Sequence, residues 1–154
     1  RISAARWQVD INPPLSPMAA PAPGTVKGVS GAWEQGGLAL TLKKIEVRAE
    51  SDWGDAAAQA WFALTNRTSD RLLVEVDLAH IYLLDSFGRR FNDSEGGGLM
   101  TQWLDPGQSW EFDRYYSEMA GQRSRITRGA QFVLVKVEKL GLLEGVQWRF
   151  DIMR

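Results

Sequence analysis

Apolar residues recur at every second position in short runs from Leu38 onward, and turn residues separate the runs. A period of two is that of strands half buried against a core. Leu38, Leu40 and Leu42 share one face, but the next apolar pair, Ile45 and Val47, has the opposite parity. A strand whose apolar face moves by one residue needs a bulge or a change of sheet, here near Lys43 and Lys44. Ala57–Asn66 is apolar on both faces, with Phe62 and Leu64 opposed by Trp61 and Ala63, so it predicts a central strand. After the turn cluster Asn66–Asp70, Leu72, Val74, Val76 and Leu78 alternate with Leu73, Glu75 and Asp77 as a half-buried strand.

A short strand over His80–Leu84 follows. Asp85 and Gly88 fit the first and last positions of a type I turn, which returns the chain as Arg89–Asn92. Asp93–Gly98 reads as a loop, and Leu104–Gly107 as a second tight turn. Trp110, Phe112 and Tyr116 then share a face, with Arg114 on the same parity. Phe132–Glu138 is nearly all apolar and predicts a central strand, and Val146, Trp148, Phe150 and Ile152 alternate with polar residues. Ser51–Gln59 supports at most one helical turn, because Gly54 and its short length oppose more. About seven strands at this spacing predict an all-β fold, an Ig-like antiparallel β-sandwich.

Five of the six prolines fall within residues 11–24, a composition suited to an extended linker and not to a central strand. The expected organisation is a linker or stalk over 1–24 and a β-sandwich over 25–154, with Trp7 able to dock on the domain. The chain begins at Arg1 without methionine, as a piece cut from a signal peptide or membrane anchor does, and as one shortened in cloning also does. A membrane tether upstream of residue 1 is therefore an expectation. No apolar run is long enough for a spanning helix.

Net charge is −1 with both signs interspersed, which gives no basic stripe for nucleic acid. The absence of cysteine excludes disulfides, thiolate metal sites and cysteine nucleophiles. A single histidine, His80, excludes a zinc site with two imidazoles from one chain.

The strand GLALTLKKIEV (Gly37–Val47), the run WFALTNRTSD (Trp61–Asp70), the hairpin LLDSFGRRF (Leu83–Phe91) and the element LDPGQSWEF (Leu104–Phe112) occur in that order, ahead of a C-terminal strand. Together they resemble the DUF4352 type of Ig-like domain, related in fold to a secreted mycobacterial immunogenic protein, over about Thr25 to Arg154. The resemblance implies a β-sandwich secreted or anchored outside a bacterial membrane. It implies no shared enzymatic activity, no cofactor and no catalytic residues. The loop DSEGGG (Asp93–Gly98) and the segment GQRSRITRG (Gly121–Gly129) are not general features of that type, so a specific function would reside there.

Four groups offer chemistry. Asp85, Asp93 and Glu95 could supply oxygens to calcium, although their spacing matches no EF-hand and Asp85 is wanted by its own turn. Seven tryptophans are many for 154 residues. Trp61, Trp110 and Trp148 suit the core, whereas Trp33, Trp53 and Trp103 lie near turns, where indoles can stack on sugars or receive a partner's side chains. Arg123, Arg125 and Arg128 could hold an anion. His80 is the best residue for catalysis, yet on a regular strand Asp77 would point to the opposite face. No nucleophile elbow, phosphate loop or paired-histidine motif supports an enzyme. Asn66-Arg67-Thr68 has the form of a glycosylation sequon, for which a turn is the simpler reading. The expected function is a non-enzymatic extracytoplasmic module that binds or scaffolds another envelope protein. The alternative is a carbohydrate- or small-ligand-binding sandwich that uses exposed tryptophans.

Overall fold

The computed structural model describes residues 7–9, 26–28, 32–47, 56–119, 124–141 and 143–152. Among them the chain forms strands and no α-helix. In order these are β1 (Trp7–Val9), β2 (Val26–Gly28), β3 (Ala32–Gln35), β4 (Leu38–Val47), β5 (Ala58–Asn66) and β6 (Leu72–Asp77). A 3-10 turn, Leu78–His80, precedes β7 (Ile81–Asp85), β8 (Arg90–Asp93) and β9 (Leu99–Leu104). β10 (Ser109–Ser117), β11 (Phe132–Leu140) and β12 (Leu143–Asp151) complete the fold. Among the described residues twelve strands replace the expected seven or so. β1 falls inside the expected linker and lies parallel to Val146–Trp148 of β12. The helical turn considered at Ser51–Gln59 is overridden at its end, where β5 begins; residues 51–55 lie outside the described ones.

Two antiparallel layers pack as a β-sandwich. One carries β12, β11, β7 and β8, with β1 at its edge; the other carries β10, β5, β4 and β2, with β3 on β4. They join where β8 meets β10, at Asp93↔Tyr116 and Asn92↔Ser117. The inner faces supply one core that includes Leu40, Phe62, Phe91, Tyr116, Val135 and Trp148. Phe62 and Phe112 stack inside it at 5.2 Å. The parity switch in β4 is a register irregularity between Leu42 and Lys44, which lets Leu42 and Ile45 both reach the core.

Residues 72–104 form one long hairpin broken in its middle. Its distal half pairs β7 with β8, and its proximal half pairs β6 with β9. From Asp77 to Leu83 the outgoing strand takes six steps, while the return from Phe91 to Leu99 takes eight. The 3-10 turn and the glycine run absorb this two-residue difference, and the proximal half leaves the main sheet as a separate two-stranded ribbon.

The hairpin tip shows what Asp85-Ser86-Phe87-Gly88 does. Gly88 N–H donates to the Asp85 carbonyl at 2.9 Å, and Gly88 takes the positive φ of 81° that closes a three-residue loop. The buried Asp85 carboxylate accepts from Phe87 N–H at 2.9 Å and Arg89 N–H at 3.0 Å through Oδ1. Its Oδ2 accepts from Thr127 N–H at 3.2 Å and from the Thr127 hydroxyl, which ties the tip to the segment before β11.

The other end of the hairpin hangs on Asn66, fully buried at the end of β5. Its Nδ2 donates to the carbonyls of Asp70 at 2.7 Å and Leu104 at 3.0 Å. Its Oδ1 accepts from Thr68 N–H at 2.9 Å and the Thr68 hydroxyl at 2.7 Å. Turn chemistry thus accounts for the Asn-Arg-Thr triplet. The turn expected at Leu104–Gly107 closes one residue later, with Gln108 N–H on the Asp105 carbonyl at 2.9 Å. Pro106 and Gly107, φ 78°, occupy its two central positions, as a type II turn requires.

Asn66→Asp keeps the shape of the side chain but turns the buried Leu104 carbonyl, and the partly buried Asp70 carbonyl, toward an acceptor. Leaving a buried carbonyl unpaired costs about 1–3 kcal/mol. Urea unfolding of the variant should show a loss of about 1–3 kcal/mol; a midpoint equal to the parent's would show that Asn66 is not a structural hub.

Candidate functional site

The three carboxylates expected to gather around calcium do not form a metal site. Asp85 is consumed by the hairpin tip and Thr127. Asp93 and Glu95 converge instead on an arginine: Arg114 Nε donates to Asp93 Oδ2 at 2.5 Å, and Arg114 Nη2 donates to Asp93 Oδ1 at 2.8 Å and Glu95 Oε2 at 2.9 Å. Asp93 also accepts from Glu95 N–H at 3.0 Å. Its side chain is 2 % exposed, so the bidentate arginine supplies the charge that burial demands. That hydrogen bonding to Asp93 drives the Arg114 pKa upward. Burial, reinforced by the Asp93 charge, likewise pushes the Tyr116 hydroxyl up. Among the described residues no group of three or more histidines or acids is placed to hold a metal ion.

The arginine group is only partly visible. Arg123 lies outside the described residues. Arg125 donates from Nη1 to the Ser124 carbonyl at 2.9 Å, and its own carbonyl accepts from Arg89 at 3.1 Å. Arg128 stands exposed in the turn before Gly129. Arg89 pairs through Nε and Nη2 with Glu118, whose carboxyl this hydrogen bonding holds below the usual range.

His80 has closer carboxylate neighbours than a continuous strand would give it. The 3-10 turn brings its Nε2 to 3.5 Å from Asp77 Oδ2, correcting the expectation that the two side chains diverge. Its Nδ1 lies 3.6 Å from Glu138 Oε2. The Tyr82 hydroxyl donates to Glu138 at 2.8 Å and, with a smaller contribution from His80, lowers the Glu138 pKa.

The tryptophans divide. Trp33, on β3, is half buried and packs against the core. Trp53 lies outside the described residues. Trp103 is 50 % exposed on the ribbon. Alternation along β6 and β9 places Leu73 opposite Trp103, Glu75 opposite Thr101 and Asp77 opposite Leu99 on the outward face. The other face carries Val74, Val76 and Leu104, which are buried. Leu73, 47 % exposed, is the cross-strand neighbour of Trp103 at one end of this face, and Leu99, 63 % exposed, stands at the other end beyond the Glu75–Thr101 pair. Isolated exposed leucines are ordinary; an exposed cross-strand pair such as Leu73 and Trp103 is a feature of interaction surfaces.

The Arg71 guanidinium sits over the Trp103 ring at 4.9 Å, with its Nε 3.2 Å from Asp105 Oδ1. These residues, with Leu73, Thr101 and Gln108, line an open depression of about 420 Å³. Among the described residues β9 pairs with β6 alone. The six residues of β9 include no charge and no proline, the usual protections of an edge. Sequence reading found Trp103 but not β9. In LMTQWL both faces mix apolar and polar residues, so the alternation that exposes other strands is missing here.

No family model matches the sequence, and no curated protein matches it. Among solved structures, the crystal structure of the YjhA protein from Bacillus subtilis is similar, with a TM-score of 0.47 and 10 % identity over 80 % of this chain and 97 % of that one.

Arg114→Ala should lower stability by about 3 kcal/mol in denaturant titrations, because it strands the buried Asp93 charge. Millimolar calcium should leave the melting temperature of the parent protein unchanged, since Arg114 already neutralises these carboxylates; a clear rise would restore the metal reading. Glu118 and Glu138 both have depressed pKa values. Their contributions to stability are complete above the ordinary carboxylate pKa of about 4.3 and are lost as pH falls through the depressed folded values. Glu118→Gln should therefore flatten the fall in melting temperature between about pH 5 and pH 3, and an unchanged slope would remove Glu118 from the account.

Proposed function

We propose that this chain is a non-enzymatic binding or scaffolding module of the bacterial envelope, and that it holds a protein partner against the outward face of the β6–β9 ribbon. One observation carries the reading: the exposed cross-strand pair Leu73 and Trp103, with Leu99 further along the same face, is displayed on a ribbon set apart from the main sheets. A half-exposed tryptophan beside an arginine has the composition of an interface hot spot. The envelope location, and membership of the DUF4352 type, rest on the sequence resemblance.

A second reading has its own support. An indole set in a depression with Arg71, Asp105 and Thr101 offers a stacking plane and polar groups, the chemistry that holds a sugar ring. Of the two described tryptophans proposed for that role, Trp33 packs against the core and only Trp103 lines the depression, which favours the protein partner.

A photo-reactive amino acid at Glu75, central on the outward face, should yield one discrete adduct with a native envelope fraction. Trp103→Ala should abolish it while leaving the melting curve intact. Absence of any adduct, or one indifferent to Trp103, would reject the protein-partner reading. Quenching of indole fluorescence by an oligosaccharide, lost in the same variant, would select the sugar instead.

A further inference from the structure

We infer that the edge of β9 left unpaired among the described residues pairs with β9 of a second copy of this chain, extending each ribbon into a four-stranded antiparallel sheet; the inference rests on the outward face being the one that receives the partner. An antiparallel pair of identical strands is isologous, so one residue must oppose itself on the two-fold axis. Placing Thr101 opposite Thr101 of the second copy sets each Trp103 against Leu99 of the other chain, on the outward face. On the other face Met100 meets Gln102. Thr–Thr neighbours are among the better cross-strand pairs, the Trp103–Leu99 match sets an indole against an aliphatic side chain, and the Met100–Gln102 match opposes no charges.

Charge permits the same register. β9 carries no ionisable side chain, so no like charges meet at the new seam. Glu75 and its copy, on the two flanking strands, would be three strand spacings apart, about 14 Å, beyond the screening length in ordinary salt of about 8–10 Å. Room exists at the ends too. The turn after Leu104 would pass Gly98 of the other copy, where a Cβ would meet nothing within 4 Å. The product is a continuous outward strip in which Leu73, Trp103 and Leu99 of the second copy are neighbours. Pairing at the edge therefore enlarges the apolar face and does not cover it. It also satisfies backbone donors and acceptors of that edge, with the Gln102 Nε2 that donates to the Trp103 carbonyl at 3.3 Å giving way to the new strand.

The natural absence of cysteine makes the register testable in the whole chain. Thr101→Cys introduces one thiol per copy at an exposed position. Opposed Cα atoms in an antiparallel pair are about 4.5–5.5 Å apart, within disulfide range. Mild oxidation should give a covalent dimer with Thr101→Cys and at least tenfold less with Glu75→Cys. Sedimentation should show a concentration-dependent dimer for the parent and a monomer for Thr101→Lys at the same concentration. Mixing Thr101→Lys with Thr101→Asp should restore the dimer. A parent that stays monomeric at millimolar concentration, a dimer indifferent to Thr101→Lys, or equal cross-linking at both positions would overturn the proposal. Such a failure is separable from that of the partner reading, because a monomer can still form the photo-adduct at Glu75.

Discussion

Two sheets become one fold across a junction two ladder positions wide, and a buried charge decides what surrounds it. Asp93 stands on β8 opposite Tyr116 of β10, with almost no access to water. An isolated carboxylate there would cost several kcal/mol or lose its charge. Arg114 lies two residues from Tyr116 on the same inward parity as Trp110 and Phe112, so it reaches Asp93 from inside the sandwich. The ion pair therefore fixes where β8 may sit on β10. Beyond Asp93, Glu95 caps the same guanidinium, and the chain leaves the sheet through three glycines at positive φ, Gly96, Gly97 and Gly98. The separate ribbon follows from that departure.

Polar hubs hold the two ends of the long hairpin, while its middle is left to differ in length between strands. Asp85 accepts four hydrogen bonds at the tip, and Asn66 makes four at the base. Both are buried groups with their hydrogen-bonding capacity largely filled, which favours a single geometry over many. The ribbon is thus carried between anchored ends, buried on the face of Val74 and Val76 and open on the face of Leu73 and Trp103. A surface held in this way presents its apolar side chains in a fixed arrangement, and association with it needs little further ordering.

Local signals in the sequence reached the elements that local chemistry decides. Alternation located β4 with its irregularity, β5, β10, β11 and β12, and Asp-x-x-Gly located the hairpin tip. Long-range pairing was not legible. Nothing near Arg114 announces Asp93, twenty-one residues earlier, as its partner, and the same carboxylates looked like calcium ligands because oxygen donors are all that spacing reveals. β9 escaped because neither of its faces is uniformly apolar. The 3-10 turn that joins Asp77 to His80 escaped because Leu78 preserves the strand's alternation through it. β1 escaped because its pairing with β12 spans nearly the whole chain.

The step from the glycine run into β9 also constrains how the gene can change. Side chains alternate across a strand, so the register of β9 on β6 sets which half of β9 faces outward. The glycine run lies outside that ladder and can take up a change in length without moving the register. A one-residue shift within the ladder itself would exchange Trp103 for Gln102 at the surface and drive an indole toward Val74, unless a new bulge absorbed the step. Changes of length are accordingly expected in the loop, and not within β9, wherever the outward face of the ribbon is under selection.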